Sequence, residues 1–126
     1  MAQNYTTYFS SNVYELDKKV TLLKRYTVVD ESGGPKYVWH PIADVMAMLE
    51  PISGREYWFM QQSNIEATVR ITIRYREGIE DSMRILFNAG DRIKVYAMQS
   101  IPIDSRERHE YLQLMCNEVE GREGIL

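Results

Sequence analysis

The sequence predicts an all-β fold: a small antiparallel barrel of about six strands, with one short helix or long loop inserted between the second and third. Three observations carry that prediction. Apolar and polar residues alternate with the period of two that belongs to strands with one buried face. Turn residues stand at almost every join between the alternating segments. With 126 residues of which 44% are hydrophobic, the chain has material for one domain with a single modest core. Closing such a set of short strands into a barrel removes their exposed edges, which favours the barrel over an open sheet.

Residues 1–15 are polar and aromatic without a period and are expected to form an N-terminal arm. The barrel domain is expected over 16–119, and a frayed tail over 120–126. The first strand, Leu16 to Tyr26, turns Val20 and Leu22 inward and Lys19, Thr21 and Arg25 outward. Asp30 to Pro35 then supplies hairpin-turn residues between β-branched and aromatic flanks. Trp39 to Leu49 alternates Ala43, Val45, Ala47 and Leu49 inward, and Pro41 marks an edge or a bulge. After Pro51, Ser53 followed three residues later by Glu56 has the spacing of a capping box, with Ile52 and Tyr57 placed as a hydrophobic staple.

From Thr68 the chain alternates again: Val69, Ile71, Ile73 and Tyr75 on the core face, Thr68, Arg70, Thr72, Arg74 and Arg76 on the other. A polar turn at Gly78 to Ser82 leads into Met83 to Phe87, where Met83, Ile85 and Phe87 share a face. Asn88 to Gly90 makes a tight turn into Arg92 to Ile101, with Ile93, Val95 and Ala97 expected inward. Pro102 to Arg106 reads as a loop, and Glu107 to Val119 as the last strand, with Leu112, Leu114 and Cys116 on one face. The spacing of Tyr111, Leu114 and Met115 also permits a helix there; the strand is preferred because the flanking segments are strands.

Composition excludes several functions. No apolar run approaches the roughly 20 residues that span a bilayer, and the N-terminal residues lack the regions of a signal peptide, so a soluble protein made in a cytosol is expected, with no membrane partner. A single cysteine, Cys116, excludes an intrachain disulfide and a cysteine-based zinc site. The net charge of −3 is spread along the chain without a basic block, which argues against tight binding of nucleic acid.

No catalytic constellation is found, and neither an enzyme nor a cofactor is expected. His40 and His109 lie in unrelated segments, and Ser53-Gly54 does not sit in a nucleophile elbow. Gly33 and Gly34 precede neither a lysine-serine pair nor a helix. Glu77, Glu80 and Asp81 lack calcium-loop spacing, and Cys116 on an apolar face reads as a small buried residue. What stands out is Tyr57, Trp58, Phe59 and Met60, four large apolar residues in a row. A short helix buries about half its circumference, so one or two of the four should stay exposed and mark an interface. The other reading folds the insertion over the barrel mouth and buries them all. Arg70, Arg74 and Arg76 read either as a solvated face or as a row that pairs with carboxylates on a neighbouring subunit.

The order of motifs resembles the head-tail adaptor family of long-tailed bacteriophages, the head-closure or stopper proteins of the neck. The resemblance runs from Leu16-Asp17-Lys18-Lys19-Val20 through Gly34 and Trp39 to Pro51-Ile52-Ser53-Gly54-Arg55-Glu56-Tyr57. It continues in Ile71-Thr72-Ile73-Arg74-Tyr75-Arg76-Glu77-Gly78-Ile79, Met83-Arg84-Ile85, Gly90, Tyr111-Leu112-Gln113-Leu114 and Cys116. The Ser53 and Ile73 motifs in this order, inside one strand plan, are its most specific part. Met46 and Ile93 depart from the family's aromatic residues at those places, both as apolar exchanges.

The resemblance implies a structural protein that self-assembles into a ring, about twelve-fold as in the family, between the portal or a portal-proximal adaptor and a tail-side neck protein. Such a ring closes the DNA-filled head, joins it to the tail, and passes DNA through its channel without specific binding. It is assembled in the bacterial host cytoplasm and resides in the virion neck. By the same resemblance the insertion from Pro51 to Glu66 faces neighbours or the channel. Ser53, Gly54, Arg55, Glu56, Tyr57, Trp58, Phe59 and Met60, with Arg70, Arg74 and Arg76, are therefore the candidate interface or channel-loop residues. Two alternatives stay open: an oligonucleotide-binding barrel, which shares strands with outward arginines and nearby aromatics, and a tail-completion or terminator protein.

Overall fold

A computed structural model describes residues 15–62, 66–104 and 107–120. Seven strands and one helix follow in the order β1 (Lys18–Val29), β2 (Pro35–Pro51), α1 (Gly54–Gln61), β3 (Val69–Arg74), β4 (Arg84–Asn88), β5 (Ile93–Met98), β6 (Ile103–Asp104) and β7 (Tyr111–Val119). All pairings are antiparallel. The sheet runs β3-β2-β1-β4-β5-β7-β6, and a further β3–β7 ladder joins its ends into a closed six-stranded barrel. The two-residue β6 lies outside the closure, paired on β7 with Ile103 opposite Gln113, in a stretch expected to be loop.

The barrel core contains Val20, Leu22, Ala47, Ile71, Ile73, Met83, Ile85, Leu112, Leu114 and Cys116, in the phase that the alternation predicts. Strand β5 differs. Tyr96 and Met98 enter the core, Ile93 is exposed, and Val95, although buried, faces away from it beside its register partners Leu86 and Val119. Antiparallel partners share a face, and Tyr96 lies opposite Ile85. With apolar residues on both sides of β5, alternation alone cannot fix its phase, whereas pairing with β4 does.

Turn chemistry explains the hairpins. Between β1 and β2 the Asp30 carboxylate accepts from the Gly34 amide at 2.8 Å, and Gly33 takes the left-handed backbone, φ 84°, that the reversal needs. The register of β1 against β2 slips between Leu22 and Leu23, where Ile42 is the extra residue, so Pro41 does mark a bulge. Strand β7 starts at Tyr111, four residues later than expected. Glu107 and His109 adopt positive φ of 53° and 57°, and the Asp104 carboxylate accepts from the His109 amide at 3.0 Å, so that turn cannot continue a strand. The arm read over 1–15 and the tail read over 120–126 lie outside the described residues except for Glu15 and Glu120.

Candidate functional site

The insertion between β2 and β3 is the candidate site, and its two ends are tied together. The Ile52 amide donates to the Thr68 carbonyl at 2.9 Å, and the Thr68 amide to the Cys116 carbonyl at 3.0 Å. Asn117 completes the stem: its side-chain oxygen accepts from the Thr68 amide at 2.8 Å and from the Thr68 hydroxyl at 3.0 Å, while its amide nitrogen donates to the Glu66 carbonyl. A closed stem fixes where the insertion leaves the barrel and where it returns.

Helix α1 begins where the sequence places it. Ser53 is the N-cap, in extended backbone, and its hydroxyl accepts from the Glu56 amide at 3.2 Å. The reciprocal half of the capping box is not made. The Glu56 carboxylate turns instead to the guanidinium of Arg70 on β3, which also donates to Glu50 on β2 at 3.1 Å. A cation shared by two carboxylates outweighs a single neutral amide donor. Arg70 therefore bridges helix and barrel with its side chain only 19% exposed. Its Nε has no hydrogen-bond partner among the described residues.

Helix α1 has no buried residue. Trp58 and Phe59 are 63% and 58% exposed, whereas Tyr57 and Met60 are half-buried. Two of the four large apolar residues thus remain in solvent, and the insertion does not fold away over the barrel mouth. Ser53, Gly54 and Arg55 are exposed beside them. The three arginines of β3 and its continuation part company. Arg70 is spent inside the chain; Arg74 is exposed, with its guanidinium 5.7 Å from the Tyr111 ring; Arg76 is exposed in the turn after β3.

Glu50 and Asn117 escaped the sequence reading. A carboxylate on the neighbouring strand, 20 residues before Arg70, becomes its partner only through the register that sets Glu50 opposite Arg70. Asn117 in a strand gives no local signal at all.

The remaining chemistry is sparse. Burial pushes the Cys116 thiol up to about 12, so it stays protonated and unreactive at neutral pH. Burial, then the Glu118 carboxylate, raises the Tyr96 hydroxyl. Among the described residues no group of three or more His, Cys, Asp or Glu could hold a metal ion, and no helix is long and apolar enough to cross a membrane.

Comparison with known proteins supplies the context for this barrel. The solution structure of a protein from Shigella flexneri 2a superposes with a TM-score of 0.71 at 24% identity, covering 85% of this chain and 96% of that one. A chain from the virion of a native gene transfer agent particle gives a TM-score of 0.52 at 18% identity, over 86% of this chain and 100% of that one. At these identities the likeness is one of fold. No curated protein matches. The profile of the phage head completion proteins matches residues 12–119, a span that takes in every barrel strand and the stem, clamp and helix of the insertion, and the chain belongs to that family.

Proposed function

We propose that this head completion protein is a subunit of a head-closure ring in the neck of a long-tailed phage or prophage. The ring assembles beneath the portal or a portal-proximal adaptor, shuts the DNA-filled head and presents its far side to a tail-side neck protein. One observation supports this reading above others: α1 is anchored at its stem and by Arg70, yet it buries none of its residues and holds Trp58 and Phe59 in solvent. An anchored helix with an exposed aromatic pair suits a surface completed by another subunit. The net charge of −3 suits a channel that lets DNA pass, because fixed cations would retain it by counterion release. The role is one of assembly, without catalysis.

Electron microscopy of the protein mixed with its portal complex tests the proposal. Ring density below the portal is expected, with α1 at a contact between chains. Portal particles that carry no added density at saturating protein would overturn it.

A further inference from the structure

Beyond Leu23 the β1–β2 hairpin leaves the barrel. Strand β4 pairs with β1 only as far as Leu23, and β3 pairs with β2 only from Ala47 onward. The pairs from Lys24 opposite His40 to Val29 opposite Pro35 therefore form a two-stranded ribbon whose outer edges pair with no strand among the described residues. At about 3.4 Å per residue it reaches roughly 20 Å. Such a ribbon is marginal alone, and its open edges invite pairing with another chain. Its side chains also suit a partner. Tyr26, Val28, Val29 and Tyr37 are 43%, 40%, 76% and 53% exposed, and they fall on both faces, so each face sets apolar side chains in solvent. The shaft is cationic. Lys24, Arg25 and Lys36 carry its charge, with Arg25 4.6 Å from the Tyr37 ring centroid and Arg84 4.5 Å from that of Trp39 at its base. The ribbon's carboxylates, Asp30 and Glu31, are both in the turn.

A surface of opposite character lies elsewhere on the same chain. An open groove of about 470 Å³ is lined by apolar Tyr75, Ile79, Pro102 and Leu112, and by Glu77 and Asp104 beside Arg76 and His109, the last paired with Asp104 at 2.8 Å. Among the described residues, the segments that supply this lining, 75–82, 101–104 and 107–112, carry Glu77, Glu80, Asp81, Asp104, Glu107 and Glu110 against Arg76 and Arg108, six carboxylates to two arginines. Glu77, Glu80 and Asp81 form no ion pair with a described residue. The free edge of β6 and the exposed Ile101 and Ile103 adjoin Pro102 in the chain.

We infer that the β1–β2 ribbon of one copy seats in the acidic groove of the next, as the contact that propagates the ring. Cationic, aromatic and β-branched side chains meet a groove with apolar walls set in segments rich in carboxylate, and each copy carries both halves. A contact of two different surfaces is heterologous, the kind that closes into rings instead of stopping at a dimer. The inference rests on the head-closure reading and names the subunit surface that reading requires.

Replacing Tyr37 by the photocrosslinker p-benzoylphenylalanine in the full chain, assembling it on the portal complex, and mapping the adducts by mass spectrometry tests it. The expected product is a two-copy adduct joining position 37 to 75–82 or 101–112. Ring density with adducts to the portal, to a tail protein or to another part of a second copy would overturn the inference and leave head closure standing. So would a ring that forms with no adduct from position 37 or from the same probe at Tyr26. Wild-type particles without a ring would overturn both.

Discussion

Arg70 shows how one side chain can carry an element. Its guanidinium is shared by Glu50 on β2 and Glu56 on α1, and the arginine side chain is mostly out of water. Hydrogen bonds to charged groups contribute about 1.5–3 kcal/mol each when their desolvation is compensated, less where a carboxylate is as exposed as these. Arg70→Met is expected to lower stability by about 1–3 kcal/mol in urea unfolding. Glu56→Ala should lose part of that, and an Arg70/Glu56 double-mutant cycle should return a coupling of about 0.5–2 kcal/mol; a coupling of zero would remove the clamp from the account. Cys116 offers a second residue-scale test. Its folded-state thiol is pushed from the ordinary 9.0 to about 12 by burial. The unfolded chain therefore releases this proton first as pH rises. The stabilisation is fully present below about pH 9 and is lost progressively toward pH 12, by about 1.4 kcal/mol per unit. Denaturation of the wild type between pH 8 and 10.5 should show this extra alkaline loss relative to Cys116→Ala, which cannot titrate there.

At the scale of elements, α1 separates stability from assembly. Because Trp58 and Phe59 stand in solvent, Trp58→Ser and Phe59→Ser should change unfolding free energy by no more than about 0.5 kcal/mol while abolishing ring formation on the portal complex. Variants that assemble normally would move the interface elsewhere. Asn117→Ala should act the other way, lowering stability by about 1–3 kcal/mol through the loss of its bonds to Glu66 and Thr68. The contrast between these elements also explains what the sequence could reveal. The N-cap at Ser53, the exposed pair on α1, the bulge after Pro41 and the core face of β3 were legible because each follows from spacing within a few residues. The face of β5, the partner of Glu56 and the clamp by Asn117 were not, because each is decided by a strand distant in sequence. Local pattern fixes which residues alternate; register fixes whom they meet.

At the scale of the whole molecule, the described residues combine a closed barrel with two parts that the barrel does not cover, the ribbon and α1. A closed ladder leaves no strand of the barrel able to open without breaking two pairings, and β3, held between β2 and β7 with Ile71, Thr72 and Ile73 fully buried, is its most protected strand. The ribbon has the opposite properties, with open edges and few buried neighbours. Stability should therefore be distributed unevenly. In hydrogen–deuterium exchange of the isolated protein, amides of β3 and β7 should exchange only by global unfolding. Those of Arg25 to Val29 and Lys36 to Val38 should exchange far faster, despite their ladder. On assembly the ribbon should gain protection while β3 does not change, since its exchange is already limited by the barrel. If the ribbon exchanges equally fast in the free and assembled protein, nothing covers it, and the ring must be built through α1 alone.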